Sequence, residues 1–150
     1  MILKAAISAS CRVCCHLISK YYGWLIPAGT KLSLKVASAH VPVSSDDATE
    51  KFRQWMKQNY LACNERLLQL LCHSQPEVRW LALKSLFKLV RTEGSTHQKL
   101  SHTYMFPNTI FHVVVSNLLN NEEDMHCLIS RFQKYVNYDD VRFYWLKDIS

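Results

Sequence analysis

The chain has 150 residues, 49% of them hydrophobic, with only three glycines and four prolines, which excludes compositional disorder and allows one ordinary core. Its formal net charge of +6 favours an acidic environment such as RNA, a phosphate-rich surface or an acidic protein, without choosing among them. So few glycines leave little material for a phosphate-cradling loop, and P-loop, dinucleotide, G-x-S-x-G and H-E-x-x-H patterns are absent, so neither an enzyme nor a cofactor or small-molecule substrate is expected.

Residues 1 to 45 carry Lys4, Arg12, Lys20, Lys31 and Lys35 with no acid, whereas every Asp and Glu lies from Asp46 onward. Turn formers in "YYGWLIPAGT" and "VPVSS" argue against a single continuous helix here. The expectation is a poorly structured or targeting-like segment, similar in composition to a mitochondrial presequence, or an altered start that adds no folded structure. Lys4, Arg12, His16 and Lys20 interrupt any apolar run of about 20 residues, which argues against a membrane-spanning helix. Within "CRVCCH", Cys11 and Cys14 form a C-x-x-C pair, but Cys15 stands where haem attachment needs His16. Cys63, Cys72 and Cys127 are isolated in helical patterns and offer no second ligand pair for zinc, so no metal site is expected and the thiols read as reduced.

From Asp46 to Ser150 the pattern is helical. Asp47 and Glu50 give a D-x-x-E start, after which Phe52, Met56, Tyr60, Cys63, Leu67 and Leu71 recur at three and four to a helix end near His73. A second helix follows at once: Ser74 and Glu77 form a capping-box pattern, Pro76 suits the first turn, and Gly94 reads as a stop after a body ending near Arg91. Val78, Ala82, Leu86, Leu89 and Val90 share one face, and Trp80, Leu81, Leu83 and Phe87 widen it into the pattern of an internal layer. Arg79, beside Val78, suggests a buried or inter-repeat partner. Residues 92 to 105 read as a polar connector. Pro107 then opens a helix through Ile110, Phe111, Val114, Val115, Leu118 and Leu119; Met125, Leu128, Ile129, Phe132, Tyr135 and Val136 mark the next, and Asp139 or Asp140 caps a fifth. The connector histidines His97 and His102, and the adjacent Asp139 and Asp140, are explained by loop exposure and helix capping without catalysis.

Two successive helix pairs, each too small to bury its own faces, predict an all-α fold of antiparallel pairs stacked as a short HEAT/armadillo-like α-solenoid with an irregular amino-terminal segment. Pro76, Val78, Arg79, Ala82 and Leu86 resemble the second helix of HEAT-type repeats. The stretches "WMKQNYLACNERLLQLLCHSQPEVRWLALKSLFKLV", "YMFPNTIFHVVVSNLL", "EED" and "RFQKYVNYDDVRFYW" resemble, in that order, the amino-terminal region of the nucleolar complex protein 4 branch of the CBF/Mak21 family. The resemblance spans residues 48 to 147 and includes Phe106-Pro107 and Tyr138-Asp139-Asp140, which helix periodicity does not demand. It implies a non-catalytic scaffold of the nucleus and nucleolus, acting in ribosome biogenesis, small-subunit processome assembly and rRNA processing. The implied partners are nucleolar ribosome-assembly proteins, with pre-rRNA as a candidate contact. The family's larger carboxy-terminal part has no counterpart here and residues 1 to 45 do not resemble its usual beginning, so the sequence reads as a shortened or alternatively started product. The alternative is a mitochondrial or nuclear-membrane-associated helical adaptor directed by the acid-free segment.

One candidate binding face follows from the charges. Lys84, Lys88 and Arg91 stand at i, i+4 and i+7, opposite the apolar face, and Lys51, Arg53 and Lys57 cluster in the preceding helix. Acting together they suit phosphate; singly, each is also explained as part of a solvated helix face.

Overall fold

The computed structural model describes residues 1–25, 48–102, 105–120 and 125–149. These form six helices: α1 (Ile2–Leu25), α2 (Ala48–Gln69), α3 (Pro76–Ser101), α4 (Asn108–Asn120), α5 (His126–Phe132) and α6 (Asp139–Ile149), with a short 3-10 turn, Leu70–Cys72, after α2. The all-α expectation holds, and stacked antiparallel neighbours are its unit.

The first difference lies at the amino terminus. Residues 2–25, expected to be irregular, form a helix whose Ile7, Cys11, Cys14, Ile18, Tyr22 and Leu25 are buried in the common core. Their spacing of three and four is that of a core-facing stripe, and the stripe docks along α3 and, less extensively, α2. Residues 26–45 lie outside the described residues. By length and composition Ile2–Gly23 is also long and apolar enough to cross a membrane, because Lys4, Arg12 and Lys20 lie far enough apart to spare an apolar window.

Residue pairs fix the directions of the helices. Lys4 reaches Glu77, Cys11 reaches the Ser85 carbonyl and Cys15 meets Thr92, so α1 runs parallel to α3. Arg79 meets Met125, and Phe87 meets Phe132, so α5 is also parallel to α3 on its other flank. Pro107 lies against Gly94 and Phe111 against Phe87, which makes α4 antiparallel to α3. The odd helices α1, α3 and α5 therefore form one row, while α2 and α4 pack behind it and α6 packs on α4. In this alternating stack α3 is the internal layer its wide apolar surface predicts: Ala82, Leu83, Leu86 and Leu89 are fully buried.

Arg79 has the inter-repeat role its position suggests. Its Nε donates to the Leu71 carbonyl at 2.9 Å and its Nη2 lies 3.3 Å from Met125 Sδ. Leu71 is at a helix end, where carbonyls lack intrahelical donors, so Arg79 satisfies one such group and spans from the first hairpin to α5.

Several boundaries shift. The Ser74–Glu77 capping box is not formed; the N-cap is Gln75, extended and without a side-chain cap, and Pro76 at the first position sets the start. Glu77 pairs instead with Lys4, 3.6 Å away. Gly94 is no stop, and residues 92–101 are not a connector but the last turns of α3, ending at His102 in the left-handed conformation (φ 55). A Cβ at Gly94 would lie 3.3 Å from Pro107 Cδ, so the glycine serves close approach of the next segment. Asp47 and residues 121–124 lie outside the described residues. The "VVV" run is helical, as its flanks predict, with Val114 and Val115 buried. Finally α5 stops at Phe132, and bonds from Tyr135 N to Phe132 O and from Val136 N to Gln133 O carry tighter turns that lay the Tyr135 ring on Phe87, 4.3 Å between centroids. Asp139 and Asp140 lie in the first turn of α6, where their charge complements the helix N-terminus; Asp139 accepts from Arg142 at 2.6 Å.

Because α1 contributes buried side chains to the core, Ile18→Ala should cost about 2–5 kcal/mol of unfolding free energy in urea titrations, the range for emptying a buried aliphatic site. A change within a few tenths of a kcal/mol would mean that α1 is not part of the folded unit.

Candidate functional site

The two predicted basic triplets are separated by the fold. Lys84, Lys88 and Arg91 are exposed on α3. Glu93, at a helical angle opposite to them, faces α2 through Tyr60. Lys51 and Arg53 are exposed and Lys57 half-buried on α2, behind the odd-helix row, so the six residues do not form one face. Arg53 is also paired with Glu50 at 2.9 Å, which lowers the positive charge the α2 cluster offers. No ion pair joins Lys84, Lys88 or Arg91 to a carboxylate among the described residues.

The remaining candidates have structural roles. His97 Nδ1 is 3.0 Å from Ser101 Oγ and its ring meets Tyr22 edge-on at 5.8 Å, while His102 forms the end of α3. Cys11 and Cys14 are buried in α1, and the hydrogen bond with Cys63, together with burial, pushes the Cys14 thiol up. Such thiols are poor nucleophiles.

A cluster that sequence reasoning missed lies where α1, α2 and α3 meet. Glu93 is 8% exposed, and burial pushes its carboxyl up to about 7. Tyr60, from α2, faces it, and burial and the neighbouring carboxyl push the tyrosine hydroxyl up. Glu93 Oε2, the Tyr60 hydroxyl and both side-chain polar atoms of Asn64 are buried without hydrogen-bond partners among the described residues. Reading residues 92–105 as a connector hid Glu93; the available signal was that Glu93 and Thr96 continue the Ala82, Leu86 and Leu89 face by three and four. A second feature is a cleft of about 340 Å³ between the second half of α3, Phe106-Pro107 and the α5–α6 turn, lined by Phe87, Arg91, Gln98, Phe106, Tyr135 and Asp140 among others. Aromatic walls with one charge of each sign suit binding, and no acid–base pair with a nucleophile converges there.

The family model described as "Nucleolar complex protein 4-like, TPR repeats" matches residues 34–150, most of the chain. The chain belongs to this family. The nucleolar complex protein 4 homolog of Homo sapiens is 36% identical over 133 residues, covering 86% of this chain and 26% of the relative. Its counterpart in Rattus norvegicus is 43% identical over 104 residues (67% of this chain, 20% of the relative), and homolog B of Xenopus laevis 39% over 106 (69% and 20%). The chain thus spans about a fifth to a quarter of these relatives' length. No solved structure matches. The family description names TPR repeats, which are helix pairs stacked as a solenoid, the arrangement expected from the sequence. The match begins ahead of Asp46, and the alignment with the human relative covers more than residues 46–150 could supply. The relatives named here carry a nucleolar name, and neither the membrane nor the mitochondrial reading gains support from them.

Glu93 makes stability depend on pH. Between about pH 4.5 and 7 the folded chain holds a proton that the unfolded chain has released, so stability falls as pH rises through this window. The loss approaches about 3 kcal/mol above it. Urea titrations at pH 5 and pH 8 should show Glu93→Gln gaining stability over the parent chain only at the higher pH.

Proposed function

We propose that this chain acts as a non-catalytic helical scaffold in the nucleolus, contributing to assembly of the small ribosomal subunit and maturation of its RNA through contacts with other assembly proteins and with pre-rRNA. The observation that carries the reading is family membership across residues 34–150. The architecture is compatible with it: a stack of helix pairs presents long surfaces, the form in which repeat proteins hold partners. The packing of α1 against α3 weighs against an adaptor directed by residues 1 to 45, because a leader or anchor would have to withdraw Ile7, Ile18 and Leu25 from the core.

The test is live imaging of the 150-residue chain with a carboxy-terminal fluorescent tag, counterstained for nucleoli and mitochondria. Enrichment in nucleoli is the expected result. A mitochondrial, nuclear-rim or diffuse signal would overturn the reading for this chain.

A further inference from the structure

The positive charge of the chain is sorted by the fold. Helix α1 has no acid, and residues 126–138, which contain α5 and the turns after it, have none either. The acids of α3 are Glu77, paired with Lys4, and the buried Glu93. The row of α1, α3 and α5 therefore shows Arg12, Lys84, Lys88, Arg91, Arg131 and Lys134 with Glu77 as its one exposed acid among the described residues. The other helices are mixed: α2 holds Glu50 and Glu65, and α6 opens on Asp139 and on Asp140, which shares a cleft with Arg91 at the edge of the face.

Contacts across the row place five of these cations along one surface, and Lys134 follows Arg131 in the turns after α5. Cys11 and Cys15 of α1 touch α3 at Ser85 and Thr92, and Arg12 lies beside them on the helix. Lys88 acts electrostatically on Cys11, which places it at the α1–α3 seam. On the other flank the Arg131 guanidinium stands 5.1 Å from the Trp80 ring centre, linking α5 to α3. Lys84 to Arg91 covers about 10 Å along the helix. Two helix-to-helix steps carry the charge across roughly 16–20 Å. We propose that this face binds the phosphate backbone of double-helical RNA. The breadth fits the side of a duplex, and among the described residues Trp80 and Tyr135, the rings that α3 and the turns after α5 set against the face, are covered, which argues against a single strand, which needs stacking platforms. Trp80 is covered by Arg131 and Tyr135 lies flat on Phe87. The exposed rings Phe52 and Trp55 stand on α2 and Phe143 on α6, while Tyr138 lines the cleft beside Arg91 at the edge of the face. Recognition through phosphates carries no base sequence.

The proposal rests on the scaffold reading only for where RNA would be met, and the two can fail separately, since binding is measured in vitro and residence by imaging. The experiment is fluorescence anisotropy of the purified 150-residue chain with a labelled RNA duplex of arbitrary sequence, a single strand of equal length and a polyglutamate peptide, across a salt series. The duplex should bind best, with affinity falling linearly in log[salt]. Combining K84E, K88E and R91E should weaken it at least about 30-fold, and the neutral combination K84Q, K88Q and R91Q should reduce the salt slope by about 2–3. The control combination K51E, R53E and K57E should change affinity less than about 3-fold. Circular dichroism confirms that each variant is folded; Arg12→Glu with Lys134→Glu repeats the test from the flanking helices if the α3 variants unfold. Absence of duplex binding at low salt, equal loss in the α2 control, or equal affinity for single strand or polyglutamate would overturn the proposal.

Discussion

One helix with neighbours on α1, α2, α4 and α5 cannot be amphipathic in the ordinary sense, and α3 is not. Burial on several sides requires apolar residues on several sides, which "VRWLALKSLFKLV" supplies: Leu83, Leu86 and Leu89 are completely buried and Phe87 nearly so. What remains for solvent is a narrow strip, and Lys84, Lys88 and Arg91 occupy it. Packing thus decides where the charge goes. The surface through which the chain would meet a polyanion is the residue of a constraint imposed by the core.

The same crowding explains the price at Glu93. Helices α1 and α2 converge on the second half of α3, and a carboxyl there loses its water without gaining a full set of hydrogen bonds. It stays tolerable by holding a proton near neutrality, in company with Tyr60 and Asn64. Gly94, the next residue, gives up its side chain to let Pro107 approach, so adjacent positions serve different neighbours of one helix.

Much of this was legible before any coordinates. The stepping of Met56, Tyr60 and Leu67, and of Val78, Ala82 and Leu86, marked two antiparallel neighbours, and the company of Arg79 marked a residue bridging repeats. What escaped was relational. Ile7, Cys11, Cys14, Ile18, Tyr22 and Leu25 also step by three and four, but the absence of acids before Asp46 suggested a separate segment, and only a partner for that stripe shows it to be core. Ser74 with Glu77, and Gly94, are sound local signals for a cap and a stop; tertiary contacts with Lys4 and Pro107 outweigh them. The two basic triplets were each correct as surface residues, yet which helix lies in which row depends on pairings across the chain. That is why Lys51, Arg53 and Lys57 were grouped with residues they do not join.

Membership of α1 in the array is the central requirement, since α1 brings Tyr22 to Glu93, contributes Ile18 to the core and is one of the three helices of the basic row. Amide hydrogen exchange followed by mass spectrometry measures this directly. Residues 7–25 should be protected to a degree comparable with the middle of α3 and should lose that protection together with it on addition of urea. Rapid exchange across α1 while α3 remains protected would contradict the single core, and with it the basic row as one surface.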